Sequence, residues 1–334
     1  MVRRPHDRPH RRLVLLIITV TMNAALDRTV TVPNFQPGQR HRASAGLTLA
    51  GGKGINIARA LKRMDVPVVA TGLAGGRTGA RVVSELTREG ILNDFVRIGE
   101  ESRTSTAVVD PTGGTYTEIN EWGPHVTPEE LELLLEKLRY LSRGADMVVF
   151  AGTLPRGVED GFYGEAIREL ERRGIRAVLD AEGQPLRLGT EAEPFLVTPN
   201  EREAEGLVGQ EFHDPDDFIQ ALDHISDLGA RNVLITLTSG CYALLRAERE
   251  PERFYAAVPE VATVSPAGSG DVLLAGYMAA RLDELPPEEA LQRAVAAGAA
   301  AVQEVGAGRF EPRELTRLAE GVKIEKLEPV PSEL

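Results

Sequence analysis

The sequence predicts an α/β fold: a mainly parallel central sheet covered by helices on both faces, with a small separate β-sheet. Three observations predict it. Apolar runs rich in Val and Ile alternate with segments of helical apolar spacing along almost the whole chain. Residues 28–49 and 104–121 break that rhythm with strand-and-turn patterns. Polar or glycine-rich clusters follow one apolar run after another, which is where open α/β sheets bind ligands.

Residues 1–12 carry Arg3, Arg4, Arg8, Arg11 and Arg12 and read as a disordered basic tail. Together with the apolar run Leu13–Val20 they imitate a secretory signal. The Ile and Val content fits a buried parallel strand better, and the run is too short to span a bilayer. A strand is therefore expected over Leu13–Thr21. Ile55, Ile57, Ala58, Leu61 and Met64 have helical spacing, so Gly54–Met64 reads as a helix. Val66–Gly72 reads as a strand and Thr78–Glu89 as a helix. Pro128–Leu141 is an amphipathic helix and Met147–Ala151 a buried strand. Helices follow over Phe162–Arg173, Glu201–Val208, Phe218–Leu228, Val272–Leu282 and Pro287–Val305. Strands are expected over Ala177–Asp180, Phe195–Thr198 and Val233–Leu237.

Residues 28–49 alternate Thr and Val before a Pro37-Gly38 turn. Thr106–Asp110 and Thr115–Asn120 flank a Pro-Thr-Gly-Gly turn, a β-hairpin pattern. These two excursions predict a lid over the active site. Lys323–Leu334, rich in Glu, Lys and Pro, reads as a C-terminal tail, which leaves one domain over residues 13–322.

Composition narrows the function. With 334 residues, 42% of them hydrophobic, the chain can bury the core of one large domain or two modest ones. A net charge of -12 repels a phosphate backbone and argues against nucleic acid as a partner. Cys241 is the sole cysteine, which excludes an internal disulfide and fits a reducing cytoplasm. No HExxH or His-x-His pair suggests zinc, and no membrane partner is expected.

Six clusters carry candidate chemistry. In Thr21–Asp27, Asn23 and Asp27 follow the first strand, where they could bond ligand hydroxyls or serve as turn residues. In Ala50–Ala58, Gly51, Gly52, Lys53 and Gly54 open a helix, and amides with a lysine suit a phosphate; Asn56 is a cap or a ligand contact. Gly152-Thr153-Leu154-Pro155 and Asp180-Ala181-Glu182-Gly183 stand at strand ends. Asn200 and Glu203 share a helix face and read either as a capping pair or as oxygen ligands for Mg²⁺. In the last, Gly268-Ser269-Gly270-Asp271, a glycine turn feeds a helix. Its amides can hold an anion while Asp271 takes a proton from a hydroxyl.

Gly51-Gly52-Lys53-Gly54-Ile55-Asn56 and Gly268-Ser269-Gly270-Asp271 with Ala275-Gly276 resemble the two signatures of the ribokinase-like carbohydrate kinases, the PfkB family. The likeness runs from about Leu15 to about Arg317. Within the family it is nearest the 1-phosphofructokinase and tagatose-6-phosphate kinase type, through Thr21–Asp27, Ser102-Arg103, Thr117–Glu121 and Pro199-Asn200. The resemblance implies a ribokinase-like three-layer α/β/α core and ATP- and Mg²⁺-dependent phosphoryl transfer to a ketohexose phosphate. It implies Asp271 as base and the amides of Gly268, Ser269 and Gly270 as anion hole. Asp27, Asn23, Gly52 and Asn56 would hold sugar hydroxyls, with Lys53, Arg103 and Asn120 toward the sugar phosphate. Asn200, Thr238 and Gly240 would meet the nucleotide, with Asn200 and Glu203 organising Mg²⁺ through water. A cytoplasmic homodimer built through the lid is also implied.

The sequence departs from the family pattern at Ser102, Thr198, Thr238, Cys241 and Ser265, mostly on the nucleotide side. These departures leave donor affinity open and also admit a non-catalytic sugar-phosphate sensor. A kinase for fructose 6-phosphate, a free sugar or a nucleoside is the neighbouring alternative. Lys53 and Arg103 argue for a phosphorylated acceptor. A nicotinamide dehydrogenase would need GxGxxG after the first strand, where Thr21-Met22-Asn23 stands.

Overall fold

The computed structural model describes residues 15–246 and 250–330; the expected N-terminal tail, Leu13 and Val14 of the first strand, and residues 331–334 of the expected C-terminal tail lie outside the described residues. The chain opens with β1 (Ile17–Thr21), β2 (Ala25–Thr31), β3 (Ala45–Gly51), α1 (Lys53–Arg63), β4 (Val68–Gly75), α2 (Gly76–Arg88) and β5 (Leu92–Ile98). It continues through β6 (Arg103–Asp110), β7 (Thr115–Asn120), α3 (Pro128–Leu141), β8 (Met147–Ala151), α4 (Phe162–Arg172), β9 (Arg176–Asp180) and α5 (Gly183–Thr190). Next come β10 (Leu196–Val197), α6 (Glu201–Val208), α7 (Pro215–Leu228), β11 (Val233–Thr236), β12 (Gly240–Arg246) and β13 (Pro251–Ala257). The chain closes with α8 (Ser269–Leu282), α9 (Pro287–Ala301), α10 (Pro312–Ala319) and β14 (Lys323–Leu327).

Ten strands form the main sheet in the order β14-β13-β12-β11-β10-β9-β8-β1-β4-β5. It is parallel from β5 to β11 and antiparallel from there to β14. Central strands are apolar-rich and buried along nearly their whole length because both faces are covered. Along β8, Met147, Val149 and Ala151 join one apolar cluster with residues of α1, α8 and α9, while Val148 and Phe150 join a second with residues of α3, α4 and α7. These are the two helical layers that the alternating pattern predicts. Each fully buried Leu, Ile or Phe on these faces contributes roughly 2 kcal/mol.

The two excursions meet in a second sheet, ordered β3-β2-β6-β7. β2 pairs antiparallel with β3 and parallel with β6, and β6 forms the expected hairpin with β7. Its β2–β3 half leaves the core directly after β1 and returns directly into α1, and its β6–β7 half leaves after β5 and returns into α3.

Several elements differ from expectation. Lys323–Leu327, read as tail, is edge strand β14. Its charged residues face outward while Ile324 and Leu327 pack on the core, so it looks like a polar terminus in sequence. Helix α9 stops at Ala301, short of Val305, and α8 starts at Ser269, ahead of Val272. β5, α5, β12, β13 and α10 had no clear sequence signal. Among the described residues no helix is long and apolar enough to cross a membrane.

Candidate active site

The carboxyl ends of the parallel strands converge on one cleft of ≈ 1030 Å³. Thr21 ends β1, Ala151 ends β8, Asp180 ends β9, Thr198 follows β10 and Thr236 ends β11; all line it. The small sheet supplies the facing wall through Asp27, Arg103 and Asn120. Asn23, Gly52, Lys53, Asn56, Asn200, Glu203, Thr238, Gly268, Ser269, Gly270 and Asp271 line the same cleft. Gly240 does not line it. A side chain there would meet the Ala256 carbonyl at 2.4 Å, so its glycine serves the packing of β12 against β13.

Asp27 sits on strand β2, where a turn had been a possible reading. Its carboxyl group fills the space where a side chain of Gly51 would stand: a Cβ there would lie 1.9 Å from Asp27 Oδ2. Burial raises the Asp27 pKa to about 6, against the pull of Arg103. Arg103, opposite Ala25 in the ladder, donates from Nη1 to Asn120 Oδ1 at 3.1 Å and from Nε to the Asn23 carbonyl at 3.4 Å. Asn23 Nδ2 donates to Thr153 Oγ1 at 3.1 Å, and its buried Oδ1 has no partner among the described residues.

Gly268, at φ 74, turns the chain into α8 with no side-chain cap. The amides of Gly268, Gly270 and Asp271 donate to no protein group among the described residues. Free first-turn amides carry the positive end of the helix dipole and suit an anion. Ser269 N bonds to the Pro266 carbonyl at 3.3 Å, so it contributes less freely than its neighbours. Asp271 lies in this first turn, buried, with Oδ2 accepting from Asn56 Nδ2 at 2.8 Å. Burial, and then the charge of Asp180, push its pKa up to about 7, while Lys53 and the Asn56 bond oppose the rise.

Lys53 lines the cleft and is ion-paired there. Nζ donates to Asp180 Oδ1 at 2.7 Å and lies 3.8 Å from Glu203 Oε1. Burial alone would lower its pKa, but Asp180, then Glu203 and Asp271, hold it above the ordinary value. The lysine therefore faces the sheet side of the cleft, leaving Arg103 and Arg28 as the small sheet's cations on the cleft wall. Asp180 belongs to a noted cluster, but its pairing with Lys53 spans 127 residues and leaves no local signal.

Asn200 and Glu203 form a capping box at α6: each side chain accepts from the other's backbone N–H at 2.9 Å. The capping reading is thus realised. Glu203 Oε1 still faces the cleft side, where its pKa is raised by burial. One carboxylate and one amide oxygen suit Mg²⁺ held through water; no group of three direct ligands gathers among the described residues.

A two-signature cleft of this form has known counterparts. The model of the pfkB family carbohydrate kinases matches residues 18–314. The chain belongs to the PfkB family. This carbohydrate kinase is 32% identical over 314 residues to the 1-phosphofructokinase of Bacillus subtilis, covering 93% of this chain and 100% of that protein. Among solved structures, it superposes on a possible 1-phosphofructokinase from Thermotoga maritima with TM-score 0.86, 25% identity and coverage of 94% and 100%. Phosphofructokinase-2 from Escherichia coli, in complex with substrates and products, gives TM-score 0.84, 27% identity and coverage of 92% and 99%. The expected ribokinase-like α/β fold is the fold of this PfkB-family kinase.

Proposed function

We propose that this kinase transfers the γ-phosphoryl group of ATP to a hydroxyl of a ketohexose phosphate of the fructose 1-phosphate or tagatose 6-phosphate type. The observation that carries the reading is the pairing of Asp271 with the free amides at the start of α8. A carboxylate whose pKa stands at about 7 is a suitable acceptor for the hydroxyl proton. The adjacent amides of Gly268 and Gly270 would hold the charge on the moving phosphoryl group, which asks for positioning and neutralisation rather than covalent help. Asp27 and Asn56 would orient the sugar, Arg103 and Asn120 would take its phosphate, and Thr198 and Thr238 would border the nucleotide. Glu203 and Asn200 would hold Mg²⁺ through water, and the ion when bound would neutralise phosphate charge. The small sheet would close over the sugar as a lid. Its outer strand leads through exposed Ile119 to exposed Trp122, a surface on which a homodimer would form.

The test is a panel of fructose 1-phosphate, fructose 6-phosphate, tagatose 6-phosphate, fructose and ribose with ATP and Mg²⁺. A ketohexose phosphate is expected to be the best acceptor; a free sugar exceeding all three phosphates overturns the acceptor assignment. Asp271→Asn is expected to lower turnover about 10²–10⁴-fold while sugar binding persists. Near-normal turnover in that variant removes Asp271 as the base.

A further inference from the structure

Arg59 is a charged side chain in the core, 3% exposed, and no ligand role requires it there. A buried guanidinium is costly unless all of its donors are satisfied. Here all five N–H groups have acceptors. Nε donates to Glu89 Oε2 at 2.5 Å, and Nη2 to Glu89 Oε1 at 2.9 Å and to the Ala50 carbonyl at 2.7 Å. Nη1 donates to the Ala307 carbonyl at 3.0 Å and to Asn56 Oδ1 at 3.3 Å. Besides Glu89 at the end of α2, its partners lie at Ala50 near the end of β3, just before the glycine loop, on the segment around Ala307, and on Asn56 one helical turn away, and the latter three lead to the site.

Each of those places touches the reacting groups. Ala50 precedes Gly51, on which Asp27 rests. Ala307 packs against Gly268, where a Cβ would lie 2.7 Å from the Ala307 methyl. Asn56 has one oxygen and one NH₂, and its Oδ1 is held by Arg59 while its Nδ2 meets Asp271.

We propose that Arg59 is a positioning residue for phosphoryl transfer: by occupying Asn56 Oδ1 it keeps the amide turned so that NH₂, and never the carbonyl oxygen, faces the Asp271 carboxylate. An amide free to rotate would place its oxygen against that carboxylate for part of the time and disfavour the ionised base. The other groups facing Asp271 are Asp180 at the end of β9, Lys53 on α1 and Asp27 on β2, and none of them bonds to Arg59. Lysine at this position keeps the charge but has three donors and no planar fork, so it cannot hold these acceptors together. The inference rests on Asp271 being the base.

The experiment measures kcat and the pH profile of kcat/KM for the full chain with ATP, Mg²⁺ and fructose 1-phosphate. The variants are Arg59→Lys, Asn56→Ala, the two combined, and Asp271→Asn. Arg59→Lys is expected to lower kcat by about tenfold or more, because it loosens a residue that contacts the base. It should also move the acid limb of the profile to higher pH. In the Asn56→Ala background the same substitution should change kcat less than about twofold and leave the limb in place. Equal effects in both backgrounds, or a fall in kcat with an unmoved limb, overturn the proposal. If Arg59→Lys does not fold, Glu89→Gln loosens the guanidinium while leaving its other partners intact. The limb should then shift in the same direction, and an unmoved limb overturns the proposal. Near-normal turnover of Asp271→Asn overturns the base assignment itself, whereas an inactive Asp271→Asn with an unmoved Arg59→Lys limb overturns only the role of Arg59.

Discussion

The end of the cleft beside the small sheet and its far end are built by different means. Beside the small sheet, side chains hold one another: Arg103 bonds to Asn120, Asn23 to Thr153, Asn56 to Asp271, and Asp27 rests on Gly51. At the far end the wall is Leu237, Thr238, Ser239, Val258, Pro259 and Val261, mostly short side chains that shape a slot. There the buried Thr198 hydroxyl has no partner among the described residues. A network of mutual bonds fails when one member is lost, whereas a slot of short side chains tolerates exchange. Of the departures from the family pattern, Thr198 and Thr238 fall on this far end of the cleft. Cys241 and Ser265 are buried behind the surface.

Three experiments would break or sharpen this contrast. The largest effect is expected from Asp27→Ala, which removes a carboxylate from the bonded end. kcat/KM for the sugar should fall about 10²-fold or more, with the KM for ATP changed only a few-fold. Comparable changes in both constants would mean that the two ends are not independent. Next is the pH profile of the unaltered enzyme. Because the Asp271 pKa is raised to about 7, the base is protonated below that value and ionised above it. kcat/KM should therefore rise with pH through a midpoint near 7, and a flat profile from pH 5 to 8 would contradict it. The smallest effect on activity is expected from Gly240→Ala. Its new methyl meets the Ala256 carbonyl, so the fold should lose about 1–3 kcal/mol, read as a lower melting temperature, while the KM for ATP stays within about twofold. A large rise in that KM with an unchanged melting temperature would return Gly240 to the nucleotide site.

Much of the fold was legible because buried parallel strands and amphipathic helices announce themselves. β8 is apolar from end to end, β1 is Ile- and Val-rich and fully buried, and α3 and α6 have the expected bounds. What was missed has physical reasons. β5 and β14 are edge strands with water on part of their surface, so their patterns are mixed. α5 contains Gly183, Pro185 and Gly189, residues that signal a loop. In the site, the glycine loops and Asp271 could be read locally because backbone turns need particular residues. The partners of Lys53 and Arg59 could not. Asp180 and Ala307 lie 127 and 248 residues away, and only the folded chain brings them near.

The β2–β3 half of the small sheet joins β1 through Met22, Asn23 and Ala24 and joins α1 through Gly52, while its β6–β7 half joins β5 through residues 99–102 and α3 through residues 121–127. Of the first pair of joints, Asn23 and Gly52 line the cleft. If the small sheet closes over the sugar as proposed, a movement of its β2–β3 half against the core would carry Asn23 and the glycine loop beneath Asp27 with it, and closure and alignment would be one mechanical event.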